Sequence, residues 1–298
     1  MDKPSDPSPH PVSEGFPWSR LGQPKLTGKE LAEKGRAALR RLRDWGAALP
    51  PTNRLERAIR MTARELEDSL PAGRVAIEAG KTVVDFHFIT HAQAERPPEE
   101  VLQRMVAALS GGDAVTSDSD RRPRDIQFEL EIWAAFRIGG IDVWFEEPDL
   151  VFRLGSRRIG IAVKRIWSVE QAHKRLSDAA QQIEGAGLLG FIATNVQEYV
   201  VGVEAELELA AKGRSFDIDV RRLHGQLAYL ASKKHVIGLI LRGTGGKAGV
   251  DTPGQPREMS LATYTQTFMF MDDSDAPAFQ ELFATIGEKL RQWFAVNF

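Results

Sequence analysis

The pattern of apolar and polar residues along the chain predicts eight helices. The first begins at Thr27, where Glu30 completes the capping-box pattern of a helix start, and the second begins at Asn53. The remaining six are predicted at 98–109, between 128 and 139, after Ser168, at 203–212, at 217–234 and at 276–296. Helical segments are therefore expected along most of the chain.

Short apolar runs bounded by turn residues predict the strands. These runs occupy 141–145, 150–154, 157–166, 188–196, 236–242 and 262–271. Gly155-Ser156 supplies a hairpin turn between the second and third of them. The continuously apolar runs are typical of buried strands with helices on both faces of the sheet. The glycine-rich segment 243–256 is expected to be a flexible loop between two strands, because it lacks the spacing of a nucleotide-binding loop.

Two further apolar runs, 74–78 and 82–90, predict a β-hairpin with its turn at Ala79-Gly80. His87 and His91 lie within or directly after the second run. Alternation would place both on one face, where two histidines could bind a metal ion. Neither an acid nor a third histidine stands at a supporting spacing, so a structural role is expected for both.

Changes in composition divide the chain into four parts. Proline, serine, aspartate and glycine are abundant in residues 1–26, and this composition predicts a mostly disordered arm. Residues 27–110 are expected to form a mainly helical N-terminal region that contains the β-hairpin. The segment 111–123 predicts a linker, and residues 124–298 predict a second domain. The first region is small enough to be an elaboration packed on the second.

The charge of the chain changes sign near its middle. From 129 to 149 six acids stand against one base, and from 151 to 175 seven bases stand against one acid. The predicted helix, strand and hairpin in this stretch bring three charged groups towards one end of a small sheet. These are the carboxylates of Glu129 and Asp149 and the amine of Lys164. The sequence therefore predicts a reactive site at this end of the sheet.

The order of these residues resembles the PD-(D/E)xK nuclease superfamily, the fold of restriction endonucleases. The resemblance rests on the helix residue Glu129, on Pro148-Asp149 at the start of a hairpin, and on Lys164 at the end of the next strand. It implies an α/β (α+β) fold with a central mixed sheet flanked by helices. It also implies that Asp149 and Glu129 bind Mg²⁺ or Mn²⁺, and that Lys164 orients or activates the attacking water and helps neutralise the phosphate.

One position departs from the motif of that superfamily. The acid expected two residues before the lysine is replaced by Ala162, so one oxygen ligand of the metal is missing. Mg²⁺ prefers near-octahedral oxygen coordination and uses water where the protein supplies no ligand. Glu147, beside the aspartate, and Gln182, on the following helix, are the candidates to replace the missing oxygen.

Two other residues leave alternatives open. Glu131 competes with Glu129 for the helix position, and Glu129 is preferred because it directly follows Phe128 at the edge of the apolar face. His173 could act as a proton shuttle, although a position on the surface of its helix is expected.

Basic residues close to the motif are the expected contacts to a nucleic-acid backbone. Such contacts give affinity without reading the bases. They are Arg153, Arg157, Arg158, Arg165, Lys174 and Arg175.

Composition limits the partners and the chemistry. Because 39 Lys and Arg stand against 41 Asp and Glu, the net charge is −2, and nucleic-acid contacts must come from local basic patches. The absence of cysteine excludes disulfides and cysteine-based zinc or thiol chemistry. No apolar run is long enough to span a bilayer, and the polar start is unlike a secretory signal, so a cytoplasmic location without a membrane partner is expected.

The sequence leaves three functional hypotheses. The favoured one is a metal-dependent nuclease with DNA as the expected substrate, and cleavage of both strands of a duplex would favour a homodimer. The second is a nuclease-fold module with a lapsed active site that binds nucleic acid or a partner protein, and Ala162 supports it. The third is an α/β scaffold unrelated to nucleic acid.

Overall fold

The computed structural model describes residues 16–20, 25–67, 74–111, 121–166, 169–195, 220–248, 258–271 and 275–298. The helices in these residues are α1 (Gly28–Asp44), α2 (Arg54–Glu67), α3 (Arg74–His91), α4 (Glu99–Ala108), α5 (Arg122–Ile138), α6 (Val169–Gly185), α7 (Val220–Ala231) and α8 (Ala276–Asn297). The strands are β1 (Phe16–Arg20), β2 (Lys25–Thr27), β3 (Val143–Glu146), β4 (Asp149–Leu154), β5 (Arg157–Lys164), β6 (Leu189–Asn195), β7 (Val236–Ala248) and β8 (Glu258–Met269). The predicted helix at 203–212 and the predicted cap Ser168 lie outside the described residues.

The described strands form one sheet in the order β1-β8-β7-β6-β5-β4-β3, and β2 also pairs with β8. β5, β6 and β7 are parallel to one another, and the other pairs are antiparallel. The prediction of a mixed α/β fold with a mixed sheet is confirmed. Lys164 and Asn195 end neighbouring parallel strands, and Arg242 lies beside Asn195 in β7, which continues to Ala248.

Alternation along the strands sends side chains into two hydrophobic cores, one on each face of the sheet. In β5, Ile161 joins the larger core and its neighbour Ala162 joins the smaller one. The larger core lies against α1 to α5 and α8, and the smaller core lies against α6 and α7. Helices therefore cover both faces, which explains why the central strands are continuously apolar.

The N-terminal helices share the larger core with the rest of the protein. Val83 of α3 and Phe136 of α5 both belong to it. The predicted linker 111–123 thus separates segments that pack on one core. Its last residues are helical, since α5 begins at Arg122, and residues 112–120 lie outside the described part of the chain.

The predicted hairpin at 74–90 is wrong, because Arg74–His91 form the single helix α3. All residues from 79 to 90 are buried, including Asp85 and His87. Residues 85–88 alternate between polar and apolar as a strand does, and the polar residues are buried together with the apolar ones, so the sequence has the same appearance as a buried strand. Tertiary burial, rather than local pattern, decides the conformation of this segment.

Two short strands lie within the last part of the predicted disordered arm. Phe16–Arg20 pair with β8 with Phe16 opposite Thr267, and Lys25–Thr27 pair with the other half of the same strand. Residues 1–15 and 21–24 lie outside the described residues. The edge of β8 is therefore covered by two short strands that proline-rich composition did not predict.

The glycine-rich segment 243–256 is also only partly a loop. Its first six residues continue β7, and Ala248 lies opposite Met259 of β8. Residues 249–257 are outside the described part of the chain. A long partner strand supplies the backbone hydrogen bonds that hold this glycine-rich sequence extended.

The local start and stop signals are confirmed where the structure describes them. The Thr27 side chain accepts a hydrogen bond from the Glu30 N–H, and the Glu30 carboxylate accepts one from the Thr27 N–H at 2.7 Å. The Asn53 side chain likewise accepts from the Glu56 N–H at the start of α2. Gly155 turns the β4–β5 hairpin with a φ of 61°, a conformation that favours glycine.

The tight pairing of β7 with β8 can be tested at Gly238. A methyl group there would lie 2.5 Å from the carbonyl oxygen of Phe268 and 2.6 Å from the Phe191 ring. Because the paired backbone cannot move aside, Gly238→Ala should lower the free energy of unfolding by about 1–3 kcal/mol in urea denaturation. Gly225→Ala in α7 meets nothing within 4 Å and should be neutral or stabilising by up to about 1 kcal/mol. Equal denaturation midpoints for Gly238→Ala and the wild type would contradict this strand pairing.

Candidate active site

Asp149 and Lys164 are in direct contact at the rim of the sheet. Leu150 pairs with Ile161 in the β4–β5 ladder, so Asp149 stands opposite Ala162 and on the same face as Lys164. The Lys164 Nζ donates to Asp149 Oδ2 at 3.1 Å. Both side chains are only partly exposed, at 19% and 16%. The predicted convergence of these two residues is confirmed, whereas their roles remain predictions.

Further hydrogen bonds fix the orientation of the Asp149 carboxylate. The Val163 N–H donates to Oδ2 at 2.7 Å, and the Gln182 side-chain amide of α6 donates to Oδ1 at 3.2 Å. The same amide also donates to the carbonyl of Pro148. Burial raises the pKa of Asp149, and Lys164 and these donors act in the opposite direction. Both carboxylate oxygens therefore have hydrogen-bond partners.

Glycine at position 160 lets the aspartate approach β5. A Cβ at Gly160 would lie 2.9 Å from two ring atoms of Pro148. The proline ring thus packs directly over the strand, and this contact places Asp149 beside Lys164. Sequence reasoning identified Pro148-Asp149 but not this steric requirement on the neighbouring strand.

Glu129 lies on α5, close enough for the Asp149 charge to act on it. The pKa of Glu129 is raised to about 7, mainly by burial and next by the negative charge of Asp149. Arg104 of α4 opposes this rise, since its Nη1 lies 2.8 Å from Glu129 Oε2. The Arg104 guanidinium also packs over the Phe145 ring at 4.2 Å. The effects of burial and of repulsion by Asp149 on the pKa are together larger than the effect of the ion pair with Arg104. Glu129 is therefore easily protonated in the folded protein.

Glu131 points away from this site. Its Oε1 accepts from the Gln127 amide at 3.1 Å, and its Oε2 lies 3.6 Å from Arg242 Nε. Residues two apart on a helix lie on nearly opposite sides, so α5 can present only one of the two glutamates to Asp149. The structure supports the preference for Glu129.

The candidates for the missing third acid do not supply a carboxylate at the site. Ala162 is fully buried in the smaller core beside α6. Glu147 is exposed, and no contact joins it to Asp149 among the described residues. Gln182 does reach Asp149, but with its amide. The site therefore consists of two carboxylates, one amine and one amide.

The basic residues predicted to contact nucleic acid do not form one group. Arg153, Arg157 and Arg158 lie at the hairpin end of β4 and β5, roughly 20 Å from Lys164 along an eight-residue strand. Arg157 pairs with Asp275 at 2.8 Å, and Arg158 pairs with Glu146. These three arginines are therefore too distant to contact a phosphate at the Asp149 site.

The remaining residues predicted to contact nucleic acid lie on α6 or on the other face of the sheet. Lys174 and Arg175 are about two helical turns from Gln182, and Lys174 is exposed. Arg165 turns to the other face of the sheet, where its Nη1 lies 3.5 Å from the Arg124 carbonyl. His173 is exposed with its ring 4.8 Å from that of Tyr229, as expected for a helix-surface residue.

The two carboxylates fit a hard divalent cation by their chemistry. No group of three or more His, Asp or Glu side chains converges to hold a metal in the part of the chain that the structure describes. Mg²⁺ nevertheless often binds only one or two protein carboxylates and completes its shell with water and substrate phosphate. The mutual repulsion of Glu129 and Asp149 is the kind of interaction that a cation between them would relieve.

Comparison with models of known protein families, with curated proteins and with solved structures gives no match. Within the described residues, no helix is long and apolar enough to cross a membrane.

The raised pKa of Glu129 predicts a loss of stability with increasing pH. Between about pH 4.5 and about pH 7 the folded state keeps a proton that the unfolded state has released. The free energy of unfolding therefore falls across this window as pH rises. Glu129→Gln should flatten this slope. The free energy of unfolding of the variant minus that of the wild type should increase by about 1–3 kcal/mol from about pH 4.5 to above about pH 7.

Urea denaturation across this pH range measures the effect. Glu281→Gln, which removes an exposed carboxylate of α8, controls for the loss of one negative charge. A Glu129→Gln variant that retains the wild-type slope would show that Glu129 is not the titrating group.

Proposed function

We propose that this protein is a metal-dependent nuclease that hydrolyses phosphodiester bonds, with DNA as the expected substrate. The observation that carries the proposal is the contact between Asp149 and Lys164 at the rim of the sheet, with Glu129 within electrostatic reach. This set contains the three groups that the resemblance to the PD-(D/E)xK superfamily implies, in the same chain order. The restriction-endonuclease-like character of the core is part of this proposal.

The side chains have distinct roles in the proposed reaction. Asp149 and Glu129 would hold Mg²⁺ or Mn²⁺, which supplies a Lewis acid that lowers the pKa of water and stabilises charge on the phosphate. The Lys164 amine would orient the attacking water and donate to a phosphate oxygen as negative charge develops there. Gln182 would keep the Asp149 carboxylate in place. Cleavage of both strands of a duplex would need two such sites, so a homodimer is expected for that activity.

The electrostatics of the site support a cation-dependent function. Asp149 and Glu129 both have raised pKa values, because burial disfavours their charged forms and Asp149 also repels Glu129. Such an arrangement costs stability in the free protein and is common where a ligand or a reaction uses the charges. A divalent cation would return both groups to their ionised forms.

A second function is favoured by one specific observation. Ala162 occupies the position of the missing acid and is completely buried among apolar side chains of α6 and β6. The smaller core is thus closed where a nuclease of this type would place a metal ligand. A nuclease-fold module that binds nucleic acid or a partner protein without cleaving is the corresponding alternative.

Cleavage assays distinguish the two functions. Wild-type protein should degrade linear or supercoiled DNA, or RNA, with Mg²⁺ or Mn²⁺ and not with EDTA. Asp149→Ala and Lys164→Ala should each lower the cleavage rate at least about 100-fold, because each removes a group that stabilises the transition state. Lys234→Ala, which removes an exposed amine after α7, should retain the wild-type rate.

Metal-dependent cleavage that survives in both site variants would point to a contaminating nuclease. Binding of labelled DNA or RNA without cleavage in any metal would refute the nuclease and support the module. If the protein neither binds nor cleaves nucleic acid, and if metal does not change its melting temperature, the scaffold unrelated to nucleic acid is the remaining hypothesis.

Restoring the acid tests the importance of position 162. Without metal, Ala162→Glu should lower the free energy of unfolding by about 1–3 kcal/mol, because it buries a carboxylate beside Asp149. Mg²⁺ or Mn²⁺ should recover part of this loss, because binding to the folded state stabilises it. Ala162→Gln has the same size without the charge, so it should be destabilised without recovery. Equal responses of both variants to metal in thermal denaturation would contradict a cation site at Asp149.

A further inference from the structure

A second cluster of charged side chains lies beside the same edge of the sheet, on the face covered by α3 and α5. Polar residues follow one face of each helix at the same spacing. On α3 they are Glu78, Lys81 and Asp85, and on α5 they are Arg124, Gln127 and Glu131. Three residues from the sheet complete the cluster: Arg165 directly after β5, Asn195 at the end of β6 and Arg242 within β7. These side chains line a partly open cavity of about 40 Å³.

The cluster is buried and tightly arranged. Arg242 is 2% exposed, Arg124 3% and Asp85 7%. The Gln127 amide donates to Asp85 Oδ2 at 2.7 Å as well as to Glu131. Buried charges cost several kcal/mol of desolvation, and apolar residues of similar shape often stabilise a fold at least as well. Stability alone therefore does not account for this cluster.

One arginine of the cluster is incompletely satisfied. The Arg242 Nη1 donates to the Thr265 hydroxyl at 3.3 Å, but its buried Nε–H has no hydrogen-bond partner among the described residues. Glu131 Oε2 lies 3.6 Å from Nε, within ion-pair distance but too long for a hydrogen bond. A buried guanidinium on the lining of a cavity, with one N–H that makes an ion pair but no hydrogen bond, can donate to a further acceptor.

Asn195 fixes the backbone next to Arg165 and so directs Arg165 to the cavity. Its Oδ1 accepts from the Ile166 N–H at 2.6 Å, and its Nδ2 donates to the Ile166 carbonyl at 3.2 Å. These two bonds hold the backbone directly after β5. Arg165 is thereby directed to the face of α3 and α5, while Lys164 lies on the face of α6.

We propose that this cavity binds a phosphate group at a site separate from Asp149 and Lys164. Its lining contains four cations, Lys81, Arg124, Arg165 and Arg242, against three carboxylates. The excess of positive charge matches an anion and disfavours a metal cation. Guanidinium groups suit phosphate in particular, because their N–H donors match the geometry of its oxygens.

Two further observations support the site. By the volume that one water needs, the cavity has room for about three waters, so it is too small for any anionic group larger than one phosphate. Burial, and next the charge of Glu131, raise the pKa of Asp85 well above its ordinary value. Its neutral form increases the excess of positive charge and can donate a hydrogen bond to a phosphate oxygen.

Binding of inorganic phosphate in EDTA tests this site independently of the proposed nuclease. Isothermal titration at constant ionic strength should show saturable binding. Arg242→Gln and Arg165→Gln should each raise the Kd at least about tenfold, because each removes a charge-assisted contact. Asp85→Asn keeps the size of the side chain and removes its charge, so it should leave the Kd unchanged or lower. Arg60→Gln, which removes an exposed arginine of α2, should leave the Kd unchanged.

Two oligonucleotides distinguish the sources of the phosphate group. Tighter binding of a 5′-phosphorylated strand than of the same strand without phosphate, lost in Arg165→Gln, would identify a strand end as the ligand. Binding of inorganic phosphate alone would identify a small phosphate compound. Absence of phosphate binding in both the wild type and Asp85→Asn would overturn the proposal. The same Kd for Arg165→Gln and the wild type would overturn it as well.

Discussion

The register between β4 and β5 is the constraint on which the candidate site depends. It sets Asp149 opposite Ala162, and Lys164 is two residues after Ala162 on the same face of β5. The carboxylate and the amine therefore meet on one face of the sheet. A shift of one residue would turn these side chains to opposite faces. The Pro148 ring packing over Gly160 and the hydrogen bond from the Val163 N–H to Asp149 both reinforce this register.

The same alternation explains why two charged clusters share one edge of the sheet. Lys164 and Arg165 are consecutive, yet Lys164 serves the Asp149 site beside α6 and Arg165 serves the cavity beside α3 and α5. The two glutamates of α5 divide in the same way, with Glu129 towards Asp149 and Glu131 towards Arg242. Each cluster places carboxylates in buried surroundings that disfavour their charge. Both clusters therefore cost stability in the folded protein.

Position 162 shows how packing and chemistry oppose each other in this protein. Ala162 fills the smaller core beneath α6 without a polar atom, and this closure favours a stable sheet. An acid at this position would add a third carboxylate to the two of the Asp149 site. Mg²⁺ can accept so few protein ligands when substrate phosphate and water complete its coordination. Catalysis at such a site would depend strongly on the substrate to bind the metal.

The sequence by itself determined the central elements of the site. The turn at Gly155, the strand that contains Lys164 and the helix that carries Glu129 all follow from local pattern, because turn signals and apolar spacing act over a few residues. Tertiary structure alone decided that 74–91 is a helix, since residues 85–88 alternate as a strand does and the polar residues of the helix are buried as well as the apolar ones. It alone also brought Arg104 to Glu129 and Asp85 to Gln127, because these contacts join residues far apart in the chain.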